Sequence, residues 1–212
     1  MEHLFLLMHI DILPFKTKKV LHNLNKLNLI NNFYLTGGTA LSLQLEHRES
    51  EDLDFFNQNT FEPEIIQRQL TAIGKLKEVA IDTGTLNCFL DGVKLQFLYY
   101  PYRLLEPKIK WKNIQVSSKL DVACTKLITI SSRGSKKDFI DLFFLLKEYD
   151  LQNLFEKLKD KYPKIDYNQT HILKSLVYFT EADAQPQPRM HKKVNWQEVK
   201  EEIIDKVKNL KI

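Results

Sequence analysis

Cysteine is nearly absent. Two occur in 212 residues, Cys88 and Cys124, both inside apolar runs and neither with a Cys or His at metal-ligand spacing. That removes a cysteine-ligated metal site from consideration and makes buried free thiols in a reducing compartment the expectation, ahead of a disulfide. No run approaches the ~20 apolar residues of a membrane span. The opening "MEHLFLLMHIDILPF" is apolar but short, carries Glu2, His3 and Asp11, and lacks a basic leader and a small-residue cleavage site, so it does not read as a signal peptide. The expected location is the cytoplasm, with no membrane contact. There is no internal repeat and no low-complexity tract. Neither charge sign dominates: 31 Lys and Arg stand against 27 Asp and Glu, a net +4. That permits an anionic ligand without demonstrating nucleic-acid binding, because lysine-rich solvated surfaces reach the same balance.

What is present is an ordinary globular mix, 43% apolar and 27% charged, in a chain long enough to bury a core. Val20, Leu21, Leu24 and Leu27 recur at helical spacing and predict a helix over 15–30. A short strand at 33–36 runs into Gly37-Gly38, a helix follows to Glu46, and 52–56 reads as a strand. Pro63 starts and Gly74 stops a helix over 62–74. Three β-rich runs follow at 76–83, 85–91 and 93–100, and Asp91-Gly92 between two of them is a strong hairpin signal. Residues 109–118 add a strand or hairpin. From Ser118 on the pattern is helical, with Ser118 and Asp121 forming a capping-box variant and helices predicted over 136–149, 151–162, 168–182 and 195–211. A proline-bearing connector, "DAQPQPRM", lies at 183–190. The expected fold is α/β (α+β): a mixed β-sheet flanked by helices over 1–117, then a C-terminal helical bundle over 118–212 that completes the site.

The densest stretch is "FYLTGGTALSLQLEHRESEDLDFF" (33–56). On a strand, Leu53 and Phe55 face the core while Asp52 and Asp54 share the other face. Two carboxylates that close repel unless a cation lies between them, and hard oxygen donors suit Mg²⁺ or Mn²⁺. An isolated D-x-D is more often an exposed acidic strand edge. Here it follows a glycine turn into a helix, where backbone amides can receive a phosphate and Thr39 adds a hydroxyl. Together these features suit a nucleoside triphosphate with its metal.

The stretch resembles the first motif of the nucleotidyltransferases related to the AbiEii/AbiGii toxins of bacterial abortive-infection systems. These belong to the polymerase-beta-like superfamily, whose signature is Gly-Gly/Ser, a helix, then Asp-x-Asp. "KLDVACTKLITISSRGSKKDFIDLFFLL" (119–146) resembles a second block of that family, and "YFTEADAQPQPRM…VNWQEVK" its small stand-alone members. The resemblance implies Asp52 and Asp54 as metal-holding catalytic acids, and Gly37, Gly38 and Thr39 as a phosphate cradle. It places Lys126 at the triphosphate, with Arg48, Arg133 and Lys137 as further nucleotide contacts and Asp138 and Asp141 lining the site. Arg48 is open to either phosphate or Asp52/Asp54, and His47 reads as structural. Tyr99, Tyr100 and Tyr102 read as rim packing ahead of base stacking.

A third carboxylate is expected in this superfamily from a neighbouring strand. The alternation of "VKLQFLYY" puts Gln96 at that position, and an amide cannot take a proton. Either two carboxylates suffice, or Asp138 or Asp141 substitutes, or the protein binds nucleotide without turnover. The reading carried forward is a Mg-dependent transferase moving a nucleotidyl group from an NTP to an RNA (tRNA included) or protein acceptor, as a toxin with a cognate antitoxin. A nucleotide- or RNA-binding module of the same fold is the alternative, and phosphoryl or pyrophosphoryl transfer a third.

Overall fold

A computed structural model of the chain describes residues 8–210. The apolar opening at 1–7, and residue 211 at the end of the last predicted helix, lie outside them. Seven strands form one mixed sheet in the order β3-β4-β5-β2-β1-β7-β6: β1 Tyr34–Thr36, β2 Leu53–Asn57, β3 Leu76–Asp82, β4 Thr85–Leu90, β5 Val93–Tyr99, β6 Ile109–Trp111 and β7 Ile114–Val116. Pairs β2/β5 and β1/β7 are parallel and the rest antiparallel. Helices α1 Phe15–Leu24, α2 Gly37–Leu45 and α3 Pro63–Thr71 belong to the first half. The second half holds α4 Lys119–Ser132, α5 Lys136–Leu145, α6 Leu151–Lys161, α7 Gln169–Leu176, α8 Thr180–Asp183 and α9 Trp196–Lys208.

The turn chemistry behaves as read. Asp91 and Gly92 both take positive φ, +50° and +82°, the backbone that a two-residue hairpin of matching twist requires. β2 alternates buried and half-buried positions. Leu53 and Phe55 are wholly buried, and Phe55 stacks on Phe97 of β5 with centroids 5.2 Å apart. Both cysteines are free and buried.

Several predicted helices stop early: the one over 136–149 ends at Leu145 and the one over 62–74 at Thr71, and two are cut shorter still. α1 ends at Leu24, and Asn28–Asn32 form a 3₁₀ segment instead. Asparagine competes with helical backbone for hydrogen bonds. Here the Asn25 side-chain oxygen accepts from the Asn113 amide at 3.0 Å, tying the helix end to the β6–β7 turn. The helix predicted over 168–182 breaks after Leu176. Phe179 leaves the helical path to pack on Phe139 and Trp196 at 4.9 and 5.8 Å.

The apolar side chains form two buried clusters, one beneath the sheet and one among α4–α9. α2 serves both: Ala40 and Leu43 join the first, Leu41 and Leu45 the second. A helix apolar all round is a buried one, and this one carries the glycine motif at its start.

A buried ion pair closes the second half. Ser118 caps α4 by accepting from the Asp121 amide at 3.0 Å. Asp121 reaches back only to the Ser118 hydroxyl, which donates to its Oδ2 at 2.8 Å, and makes no bond to the Ser118 amide that a full capping box requires. Its carboxylate takes the Lys161 ammonium at 2.6 Å and the Leu105 and Glu106 amides at 3.0 and 3.3 Å. Lys161 also donates to the Arg103 carbonyl at 3.1 Å. Asp121→Ala strands a charged, 1% exposed lysine. The expected loss is about 3–5 kcal/mol of unfolding free energy, read from a lower urea midpoint. Adding Lys161→Met should recover a good part of it.

Candidate functional site

The site begins where β1 meets α2. Gly37 has φ +67°, and a Cβ there would stand 2.5 Å from the Asp54 Oδ2. A Cβ on Gly38 would stand 2.5 Å from an Arg48 guanidinium nitrogen. The first glycine therefore serves both backbone and carboxylate, and the second makes room for an arginine. No side chain caps α2: its N-cap residue is Thr36, whose side chain makes no cap bond. The first-turn amides of a helix have no intrahelical partner and carry its positive end, and here that end adjoins Asp54. Thr39 has a different task from the one expected. It is fully buried, and its hydroxyl bonds the Asp52 carbonyl and, at 2.8 Å, the Ser50 hydroxyl. A carbonyl only accepts, so the Thr39 proton goes to Asp52 and none is left for a phosphate. This bond pins the loop that leads into β2.

Asp54 pairs in register with Thr36 of β1 and with Gln96 of β5. Asn87 of β4 continues the row. Gln96 thus stands directly abreast of Asp54 on its face of the sheet, the position from which a third carboxylate was expected. Burial first, and then the charge of Asp52, pushes the Asp54 carboxyl above its ordinary range; Lys126, Lys137 and Arg133 oppose this in part. Asp52 sits one residue before the strand, with Lys137 Nζ 3.7 Å from its Oδ2. Both of those side chains are partly exposed.

Behind the carboxylates lies a buried charge network. Asp141 of α5 accepts from His47 Nε2 at 2.8 Å and from Arg48 Nε and Nη2 at 2.7 and 2.8 Å. Lys126 Nζ of α4 is 2.6 Å from its second oxygen. Asp138, one turn earlier, takes Lys126 at 2.7 Å, Arg133 Nε at 3.0 Å and the Ser135 hydroxyl at 2.5 Å. Both aspartates are wholly buried. Burial alone would raise the Asp141 carboxyl, but Arg48 and Lys126 outweigh it and hold it well below the usual range. Asp138 is likewise pulled from above by burial and down, to about 2, by Lys126 and Arg133. Burial alone would lower Lys126; Asp141 and Asp138 reverse that and keep it charged. His47 goes the other way. Burial lowers it, so it stays neutral, donating from Nε2 while its Nδ1 has no partner.

The family described as "Nucleotidyl transferase AbiEii toxin, Type IV TA system" matches residues 19–209. The chain belongs to this family. An uncharacterized protein of Aquifex aeolicus is 39% identical over 197 residues, covering 90% of this chain and 94% of that one. Among solved structures, a putative nucleotidyltransferase from H. pylori aligns with TM-score 0.56 at 19% identity, over 91% of this chain and 92% of the other. JHP933 from Helicobacter pylori aligns with TM-score 0.55 at 20% identity, over 91% and 89%. At such identities the likeness to the two structures concerns the fold.

Within this AbiEii-family chain, the residues implied by the resemblance divide into two layers. Asp52, Asp54, Arg133 and Lys137 reach the surface or its edge, and Gly37 and Gly38 form the helix end beside them. Arg48, Lys126, Asp138 and Asp141 lie in the network behind. Lys126 is 5% exposed between two aspartates, not turned toward open phosphate space, and Arg48 pairs with Asp141 and not with Asp52 or Asp54. Neither Asp138 nor Asp141 has an oxygen free to replace the missing acid. Among the described residues, no three His, Cys, Asp or Glu side chains converge on a metal position. The donors present are two carboxylates and the Gln96 amide. Such a set suits Mg²⁺ brought in on a triphosphate, which needs only one or two protein carboxylates; the Lys137 ammonium already supplies a positive charge there. Ser50 and Ser135, which anchor Thr39 and Asp138, escaped the sequence reading. Only Ser135, just ahead of a helix, left a signal, as an N-cap.

Two outcomes follow. Gly37→Ala forces a Cβ into Asp54 and should clearly lower the urea unfolding midpoint. Gly92→Ala, with nothing within 4 Å of its Cβ, should cost only about 1 kcal/mol of strain in the same measurement. Second, a carboxyl at about 2 when folded and near 3.9 when unfolded stabilises fully above the unfolded value. That contribution disappears as pH falls from about 5 to 2. Wild-type unfolding free energy should drop across that window by roughly 2–3 kcal/mol on account of Asp138. Asp138→Asn should be less stable at pH 7 and fall less steeply, by urea unfolding at each pH.

Proposed function

We propose that this AbiEii-family protein transfers a nucleotidyl group from an NTP, with Mg²⁺ or Mn²⁺, to an RNA (tRNA included) or protein hydroxyl, acting as a toxin restrained by a cognate antitoxin. The observation that carries the reading is the uncapped α2 N-terminus at Gly37-Gly38 lying against Asp54, with Asp52 beside it. Amides and a helix dipole suit phosphate, and paired carboxylates suit the metal that accompanies it. When bound, the metal neutralises phosphate charge and orients the triphosphate.

The chain's own residues account for the rest. Arg133 and Lys137, on the α4–α5 side, complement the phosphate charge across from the carboxylates. The acceptor oxygen bonds to the α-phosphorus, the α–β phosphoanhydride bond breaks, and pyrophosphate leaves. The acceptor proton cannot go to Gln96, which has no basic oxygen. Asp54, abreast of Gln96 on the same face of the sheet, is the neighbouring carboxylate that takes it. Asp141 and Asp138 hold Lys126, Arg48 and Arg133 in place, so that the positive side of the site is rigid before substrate arrives.

Gln96 favours a second reading, a module that binds nucleotide or RNA without turnover. Incubation of the protein with each α-³²P-labelled NTP, Mg²⁺ or Mn²⁺, and total bacterial RNA separates the two. Transfer predicts label on RNA or protein that falls at least a hundredfold in Asp52→Asn. Mg·NTP binding with no label on either acceptor establishes the module. Label left in NDP or NMP, with an unlabelled acceptor that gains the mass of a phosphate or pyrophosphate, points to the other phosphate chemistries.

A further inference from the structure

Beside the candidate site, the C-terminal end of α4 and the turn after α7 enclose a recess of about 160 Å³. Ser131, Ser132 and Arg133 line one side, and Ser175, Tyr178 and Glu181 the other. Two features set it apart from a packing defect. The Tyr178 side chain is 60% exposed, a large aromatic face with no need to be there for core packing; its neighbour Phe179 already fills the core. And Arg133 belongs to both places: it borders the recess, while its guanidinium bonds Asp138 and its charge is felt by Asp52 and Asp54.

The hydrogen-bonding character of the recess is one-sided. Ser131 donates its hydroxyl proton to the Ile128 carbonyl at 2.8 Å, Ser132 to Thr129 at 2.9 Å and Ser175 to His171 at 2.9 Å. Each hydroxyl has a single proton, so all three can only accept from a ligand. The Glu181 carboxylate also only accepts. A flat ligand with N–H donors on its edge and a negative group on the Arg133 side matches this. The volume is small for a whole drug-sized ligand and suits a single heterocycle.

We infer that this recess binds a nucleobase, stacked on Tyr178, with its phosphate toward Arg133 and with amino-bearing bases preferred over uracil. Adenine and cytosine present an exocyclic amino group to the acceptor oxygens, whereas uracil has one N3–H donor flanked on both sides by carbonyl oxygens that face the same acceptor atoms. The base belongs either to the incoming NTP or to the 3′ end of a single-stranded acceptor; the chemistry is common to both. The inference rests on the transferase reading above, in which both ligands meet the carboxylates.

Calorimetric titration of the full chain tests it. The ligands are ATP, CTP and UTP with Mg²⁺ and, separately, single-stranded oligoribonucleotides ending in A, C or U. Base–aromatic stacking is sequence-tolerant and worth enough that Tyr178→Ala should weaken one ligand series roughly tenfold or more, with Tyr178→Phe close to wild type. Loss in the NTP series assigns the recess to the incoming base, and loss in the oligonucleotide series assigns it to the acceptor. Glu181→Gln, which adds a donor, should narrow the preference for A and C over U. Unchanged binding of both series by Tyr178→Ala overturns the inference, as does a wild type that prefers U. If Asp52→Asn still abolishes label transfer in that case, the proposed function stands without the recess. A wild type that binds neither series overturns both.

Discussion

The carboxylate of Asp141 is the constraint around which the site is organised. It accepts from His47 and Arg48, at the end of α2, and meets Lys126 from α4. The glycine-helix segment of the first half is thereby tied to the helices of the second. A buried ion network pays a large desolvation cost, which only good geometry and full hydrogen bonding recover. Here each aspartate is met by at least two cationic groups, and Arg48 and Lys126 carry the matching charge. His47 remains neutral, so the network is not overloaded with positive charge.

This network explains why the family's second motif is far from the first in sequence and yet inseparable from it in space. Asp138 and Asp141 share a helical face, and both meet Lys126 across from α4. Arg133, seven residues beyond Lys126, reaches Asp138 as well. The four residues hold one another, and their shared product is a rigid positive flank opposite Asp52 and Asp54. Arg133 and Lys137 are the charges of this flank whose side chains stay exposed.

The other organising fact is that α2 belongs to both cores. Its glycine start needs close approach by Asp54 on one side and by Arg48 and Ser50 on the other. Its apolar body is buried against the sheet and against the helical half. The motif is therefore shaped less by phosphate access alone than by the side chains the protein packs into the space that two missing Cβ atoms leave. Gln96, aligned with Asp54 by the parallel β2/β5 register, leaves an amide on this face where a third carboxylate was expected.

Local pattern made most of this legible. Strand alternation separated Leu53 and Phe55 from Asp54, Asp91-Gly92 announced its hairpin, and Ser118 marked the start of α4, because each depends on a few neighbouring residues. The outward position of Gln96 followed from alternation too. What the sequence could not contain is partnership across distance. Nothing in the chain order states that Arg48 meets Asp141, ninety-three positions away, and not Asp52, four away. Nor does it state that Lys126 lies under the surface between two carboxylates, or that Thr39 spends its proton on a loop carbonyl. Helix ends at Leu24 and Leu176 were also moved by tertiary contacts, the Asn25–Asn113 tie and the turn of Phe179 into the core. By itself the sequence determined the elements, the face each side chain takes and the family motif, because periodicity and backbone preference act over a few residues. Only the tertiary structure decided which charges neutralise one another and which stay open to a ligand, because burial and pairing are set by what packs on top.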